Sequence, residues 1–265
     1  MSNHFEYWNS FVLNWVINPI GPDNLYNTEQ DPKTGIIDLS KDYVPEPWWG
    51  NCGNNDTPLY SVCLNLNPGK GDPGLQTRSN RRLVAIKQYP DVFQLLPATD
   101  NWHATKRAQP IGDALRAEKN IPAGPLKNHL SVEFIPWHTE HATGSLGYWS
   151  YVKNNIEDVY NHSFMFAAEE AERIEGPLKK TVIMRFSESA ANRIFKLFNQ
   201  RLLVSPPSST QMSGLSNPNV HATVFKFHDE PNLSGHRFVA IWRSKGFGLN
   251  NFPDQESMKD IIRQL

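Results

Sequence analysis

The chain has 265 residues, 39% of them hydrophobic and 20% charged, with a formal net charge of −1. That is enough chain for one large domain or two small ones, with the composition of a globular protein rather than a disordered one. No apolar run approaches the roughly 20 residues that span a bilayer, and a net charge so near zero does not by itself mark a nucleic-acid binder.

The N-terminal stretch MSNHFEYWNSFVLNW has an apolar periodicity but neither a basic flank nor a small-residue cleavage site. It predicts an amphipathic helix packed on the domain rather than a signal peptide. Residues 18–58 carry six prolines among scattered Gly and Asn, the pattern of irregular chain wrapped over a domain. Within them, Asp42–Gly50 (DYVPEPWWG) cannot be helical because of its prolines. Trp48 and Trp49 either seal a core edge or stack on a ligand. We therefore divide the chain into a wrapping segment, 1–58, and an α/β domain, 59–265.

That domain opens with Tyr60–Leu64, an apolar run read as a buried strand, and breaks into the turn Asn67-Pro68-Gly69-Lys70-Gly71-Asp72. A Gly/Pro-rich turn after a strand is where an open α/β sheet offers backbone N–H groups and polar side chains to a ligand. Asn67 and Asp72 are the side chains such a turn carries, although the same residues also make ordinary turns. Asp91–Leu96 reads as a short helix or strand, 112–118 as a helix, and His129–Ile135 as a second strand. The latter runs into Pro136-Trp137-His138-Thr139-Glu140-His141, dense in functional groups. His138 and His141 have a His-x-x-His spacing without a third ligand, so no metal and no other cofactor is expected.

Residues 163–175 predict a helix stopped by Gly176-Pro177, and Lys180–Phe186 predicts a third strand. Ser187 is an N-cap for a helix over 189–198. Residues 204–219 are rich in Ser, Pro and Asn and read as a loop or lid. Ala222–His228 and Arg237–Arg243 are two further strands joined closely enough for a hairpin, and a helix over 254–264 closes the chain. The alternation predicts an α/β fold, a three-layer α/β/α domain around a mainly parallel four-stranded sheet. Three strand ends then meet at one edge: Asn67–Asp72, Trp137–His141 and Arg243–Gly246.

Charge and cysteine usage add to this. Residues 1–60 hold 2 basic and 8 acidic side chains, whereas 61–130 hold 10 and 5. The positive block follows the Asn-Pro-Gly turn, through Arg78, Arg81, Arg82 and Lys87, and is either a phosphate-neutralising face or a solvated surface. Two cysteines, Cys52 and Cys63, cannot hold a four-thiolate cluster. Without a secretory signal they suit a reduced, cytoplasmic protein.

Asp42–Gly50, then Leu64-Asn65-Leu66-Asn67-Pro68-Gly69, then Glu133-Phe134-Ile135-Pro136-Trp137-His138 resemble uncharacterised bacterial members of the uracil-DNA glycosylase superfamily. The likeness covers about residues 42–200 in order. It implies a base pocket at the carboxyl ends of a four-stranded parallel sheet and hydrolysis of a base N-glycosidic bond in DNA, a repair reaction on a flipped base. It assigns Asn67 to the position that orients the attacking water, as in the mismatch-specific branch; Asp72 is the candidate for a carboxylate substitute. An amide orients water but is no strong base, so modest activity is implied.

The chain departs from the family at three places. Asn65 replaces the glycine that opens the first motif, no Phe, Tyr or Trp lies between Tyr60 and Tyr89, and there is no His-Pro-Ser segment. His228, or Arg243 with Ser244, are the candidates to stand beside the departing base. The site read from sequence is therefore Asn67, Asp72 and His138 for chemistry, and Asn65, Pro68, Gly69, Trp137, His228, Arg243 and Ser244 for binding. DNA or a nucleobase is the expected partner, with no membrane. A relative that binds a nucleobase or nucleic acid without cleaving it, and a protein-interaction module with a vestigial pocket, are the alternatives.

Overall fold

The computed structural model describes residues 3–17, 45–51, 57–66, 102–124, 128–138, 146–244 and 254–265. The turn from Asn67 to Gly74, Asp91–Leu96, Cys52 and the cluster from Arg78 to Lys87 lie outside the described residues.

Three short strands form the centre: β2 (Ser61–Asn65), β3 (His129–Glu133) and β4 (Thr181–Met184), every residue of them buried. Parallel strands covered on both faces favour apolar runs, as in Val62–Leu64 and Val182–Met184, whereas β3, HLSVE, alternates apolar and polar residues that are all buried. β2 pairs in parallel with β3 on one side and β4 on the other, and β4 pairs in parallel with β7 (Arg237–Arg243).

The sheet is wider than the four strands expected. Among the described residues it has seven strands in the order β1-β3-β2-β4-β7-β6-β5, of which β3, β2, β4 and β7 are mutually parallel. β1 (Trp48–Gly50) adds antiparallel to β3, β6 (Val220–Lys226) antiparallel to β7, and β5 (Ser208–Gln211) antiparallel to β6. Two of the additions correct the sequence reading. β1 comes from the Pro-rich segment, where Pro45 and Pro47 precede the pairing residues and leave their N–H groups free to join the ladder. β5 lies inside the stretch read as a lid. The rest of that stretch is tied down as well: Ser216 N donates to Asp260 Oδ2 at 2.7 Å and Asn217 Nδ2 to Asp254 Oδ2 at 2.8 Å.

The helices bury apolar faces against this sheet. α1 (Asn3–Ile17) sends Phe5, Trp8 and Val12 into the core, one turn apart along one face. α2 (Trp102–Lys119) is longer than the seven residues predicted and packs on α7 (Gln255–Gln264). α3 (Leu146–Asn154) follows β3. The helix predicted at 163–175 begins earlier and is interrupted: α4 (Ile156–Val159), a π-helical stretch at Tyr160–Met165, then α5 (Phe166–Glu172). The π stretch carries His162, whose main-chain oxygen accepts from Trp8 Nε1 at 2.6 Å and whose ring stacks on Tyr7 at 3.5 Å. α5 packs on β2 and β4.

α6 (Glu188–Leu202) starts where its cap predicts, Ser187 Oγ accepting from Ala190 N at 3.2 Å. Its apolar stripe, Ala190, Ala191, Ile194, Phe195 and Phe198, is buried. Phe164, Phe195, Phe198, Phe225, Phe227 and Phe238 then interlock between helices and sheet, Phe164 stacking on Phe238 at 4.5 Å. Burial of such rings at about 25 cal/mol per Å² is the dominant favourable contribution to the fold. No helix of the described residues is long and apolar enough to cross a membrane.

Candidate functional site

Because β2, β3, β4 and β7 run the same way, their carboxyl ends share one edge. β3 and β4 flank β2, so successive connections leave β2 and β3 in opposite directions along the sheet. The carboxyl end of β2 beside β4 is then the switch point where open α/β sheets make a crevice.

A row of buried polar groups leads to that edge. Alternation along a strand puts Ser61, Cys63 and Asn65 on one face of β2, and the register sets them beside His129, Ser131 and Glu133 of β3. Ser61 Oγ and His129 Nδ1 lie 2.8 Å apart. At the top of the row Asn65 Nδ2 donates to Ser131 Oγ at 2.5 Å and to Glu133 Oε1 at 3.1 Å, while its Oδ1 accepts from Arg185 Nη1 at 3.1 Å. Asn65, Ser131, Glu133 and Arg185 are all buried. The Asn65 amide therefore bridges a buried carboxylate and a buried guanidinium, a pairing that lets both charges leave water.

Fields from this cluster reach its neighbours. Burial and then the Arg185 charge push the His129 imidazole down to about 3. Burial and then Glu133 hold the Tyr148 hydroxyl well above its usual range.

The same edge anchors the chain that enters the Asn67 turn. Phe134 N donates to Asn65 O at 2.6 Å, and Leu66 O accepts from both Ile135 N at 3.2 Å and Tyr148 Oη at 2.9 Å. Arg185 N donates to Leu64 O at 2.9 Å. The last described residues before the turn are thus bonded from β3, from α3 and from the end of β4.

The residues expected to bind or react are placed as follows. Asn67, Pro68, Gly69 and Asp72 lie outside the described residues, as do Thr139–His141 and Lys245–Gly246. Asn65 is at the edge, but its amide is spent on Ser131, Glu133 and Arg185. Trp137 is buried against Phe11, ring centroids 5.8 Å apart, and bonds Tyr151. His138 is fully buried, with its Nε2 3.8 Å from Glu46 Oε1, and Glu46 Oε2 accepts from Trp49 Nε1 at 3.1 Å. Both tryptophans of the Pro-Trp-Trp segment are core residues: Trp48 packs on Phe5 and Phe166. Neither offers a free face for stacking on a ligand.

Arg243 ends β7 at the carboxyl edge and Ser244 follows it, with Arg243 Nη2 3.7 Å from Asp254 Oδ2. His228 is not with them. β6 runs antiparallel to β7, so His228, two residues beyond its end, is at the opposite edge, where its Nε2 lies 2.7 Å from Ser208 Oγ. The histidine that the hairpin brings to Ser244 is His221, from the start of β6. Its Nε2 is hydrogen-bonded to Ser244 Oγ, and its ring stacks on Trp242 at 5.5 Å.

Glu133, Arg185, Glu46 and His221 were missed as site residues. The signal for two of them was present: a charged residue closing an otherwise apolar strand, as in HLSVE and TVIMR, is seldom buried without a paired role.

No protein-family model, curated protein or solved structure matches this chain significantly, so the likeness to the glycosylases rests on the residues quoted for it.

Proposed function

We propose that the carboxyl edge of the parallel strands is a nucleobase site of the uracil-DNA glycosylase type. In this reading Asn67 orients water for hydrolysis of an N-glycosidic bond, Asp72 is the candidate carboxylate for the same task, and Arg243 and Ser244 with His221 face the departing base or its strand. The observation that carries the reading is the Glu133–Asn65–Arg185 bridge at the switch point. It spends three buried polar groups on holding the strand end two residues before Asn67, a rigidity that positioning a water requires and an ordinary turn does not. The strand order sends the connections from β2 and β3 in opposite directions along the sheet, and crossovers of the usual right-handed course would then lie on opposite faces, which supports the three-layer domain implied by the resemblance.

The burial of His138 favours a second reading, in which the site binds a nucleobase or nucleic acid without cleaving it. A histidine sealed against Glu46 cannot meet a leaving base, so the chemistry loses one of its acids.

Base release from single- and double-stranded oligonucleotides carrying uracil, hypoxanthine or xanthine separates the two, with Asn67→Ala and Asp72→Asn as paired variants. Release that falls at least about tenfold in Asn67→Ala, about 1.4 kcal/mol of barrier, is the expected outcome. No release with salt-sensitive binding supports the second reading, and neither release nor binding refutes both.

A further inference from the structure

The N-terminal helix meets the body of the fold through two histidines that the nucleobase site does not use. α1 brings His4 against His162 of the π-helical stretch, their Nδ1 atoms 3.3 Å apart. Short π stretches inside a helical run recur at functional sites. Both rings are held in place. His4 Nε2 donates to Glu169 Oε2 at 2.9 Å, and its ring lies against Phe166 with centroids 5.3 Å apart. His162 stacks on Tyr7, and its main-chain oxygen accepts the Trp8 indole N–H.

The partners decide which nitrogens carry lone pairs. A carboxylate oxygen only accepts, so His4 Nε2 carries that ring's proton, and in the neutral ring Nδ1 turns a lone pair toward His162. His162 Nε2 makes no hydrogen bond among the described residues and is open to solvent. The His162 proton can therefore sit on Nε2, which frees its Nδ1 as well. Two imidazole lone pairs then meet at the loss of one long contact, since 3.3 Å exceeds the usual roughly 2.7–3.2 Å of an N–H···O bond. The same separation suits two nitrogens each about 2.0–2.1 Å from one tetrahedral ion, which stand about 3.3 Å apart.

We infer that His4 and His162 bind a divalent transition-metal ion of the zinc class between their Nδ1 atoms. Glu169 is then the carboxylate behind a ligating histidine, fixing its tautomer and raising its basicity. The Asp158 charge, which reaches His162, adds to the field that favours a dication. Imidazole selects zinc, nickel or copper over magnesium and calcium, which take oxygen ligands. Among the described residues no group of three His, Cys, Asp or Glu is placed to hold a metal, so the chain supplies two ligands and water the rest. His162 is half-buried and Glu169 exposed, so the ion arrives from solvent. Its two ligands are 158 residues apart, and a bound ion staples α1 to the domain. The pair shares no residue with the carboxyl edge, so it stands or falls independently of any chemistry there.

The test is calorimetric titration of the chelator-stripped full chain with zinc chloride, beside magnesium chloride, together with thermal melting. A saturable zinc site is expected that raises the melting temperature and is lost in His162→Gln. Glu169→Gln should weaken it at least about tenfold, the usual scale for removing a carboxylate behind a ligating histidine. Glu169 is exposed, so that replacement leaves the core alone. Long-range proton–nitrogen spectra of the imidazoles should show zinc placing the His162 ring proton on Nε2. His228→Gln leaves the zinc affinity unchanged. Absence of saturable zinc binding, an equal response to magnesium, or an affinity unaltered in either His162→Gln or Glu169→Gln overturns the inference.

Discussion

A proton reaches His129 only if the β2–β3 interface opens. Its ring is buried between strands, beside Ser61 Oγ, and titrates at about 3 against an ordinary 6.5, through burial first and the Arg185 charge second. The unfolded chain therefore takes up a proton as the pH falls through about 6.5, whereas the folded chain does not until about 3. A depressed histidine contributes its full stability above the unfolded value and loses it as the pH falls. At pH 4.5, about two units below the unfolded value, the loss is about 2.7 kcal/mol at 1.36 kcal/mol per unit.

Urea unfolding of the wild type and His129→Gln at about pH 7 and 4.5 measures it, because glutamine keeps a polar partner for Ser61. The wild type should lose about 2.7 kcal/mol more between the two conditions than the variant. Groups shared by both proteins, such as His236 and Asp254, whose values are also lowered, cancel in the difference. Equal losses would refute a neutral, sealed His129 and with it the closed polar row.

Asn65→Ala removes the bridge between Glu133 and Arg185 and should cost about 2–4 kcal/mol, since hydrogen bonds to charged groups contribute about 1.5–3 kcal/mol each. An unchanged urea midpoint would argue against the bridge. Leu203 caps the carboxyl end of α6 at φ 57° and ψ 30° and is 86% exposed. Leu203→Gly, read by thermal melting, should stabilise by about 1 kcal/mol, because glycine adopts this left-handed cap freely and no packing is lost. Ser187→Ala should cost about 1 kcal/mol through the uncapped Ala190 N–H, seen as a lower melting temperature with no change in any ligand affinity.

What the sequence determined by itself was local. The apolar run Tyr60–Leu64 announced a buried strand, and the strands read at His129–Ile135 and Lys180–Phe186, alternating with helices, announced a sheet with parallel strands. Ser187 announced a helix start, because a cap acts within three residues. The hairpin from Ala222 to Arg243 was visible for the same reason, its two runs being separated by a short connection.

Tertiary structure decided the rest. Whether Trp48 and Trp49 seal a core or face a ligand depends on what lies across from them, and Phe5 and Phe166 come from 43 residues before and 118 after Trp48. His228 and His221 are seven residues apart in the same run. Only the antiparallel course of β6 sends one to the amino edge and the other to Ser244. Asn65, read as a ligand-binding amide, is instead held by Ser131, Glu133 and Arg185. Those partners lie between 66 and 120 residues away. A buried charge is tolerable only beside its counterpart, and that pairing is a property of the sheet's strand order rather than of any one stretch of chain.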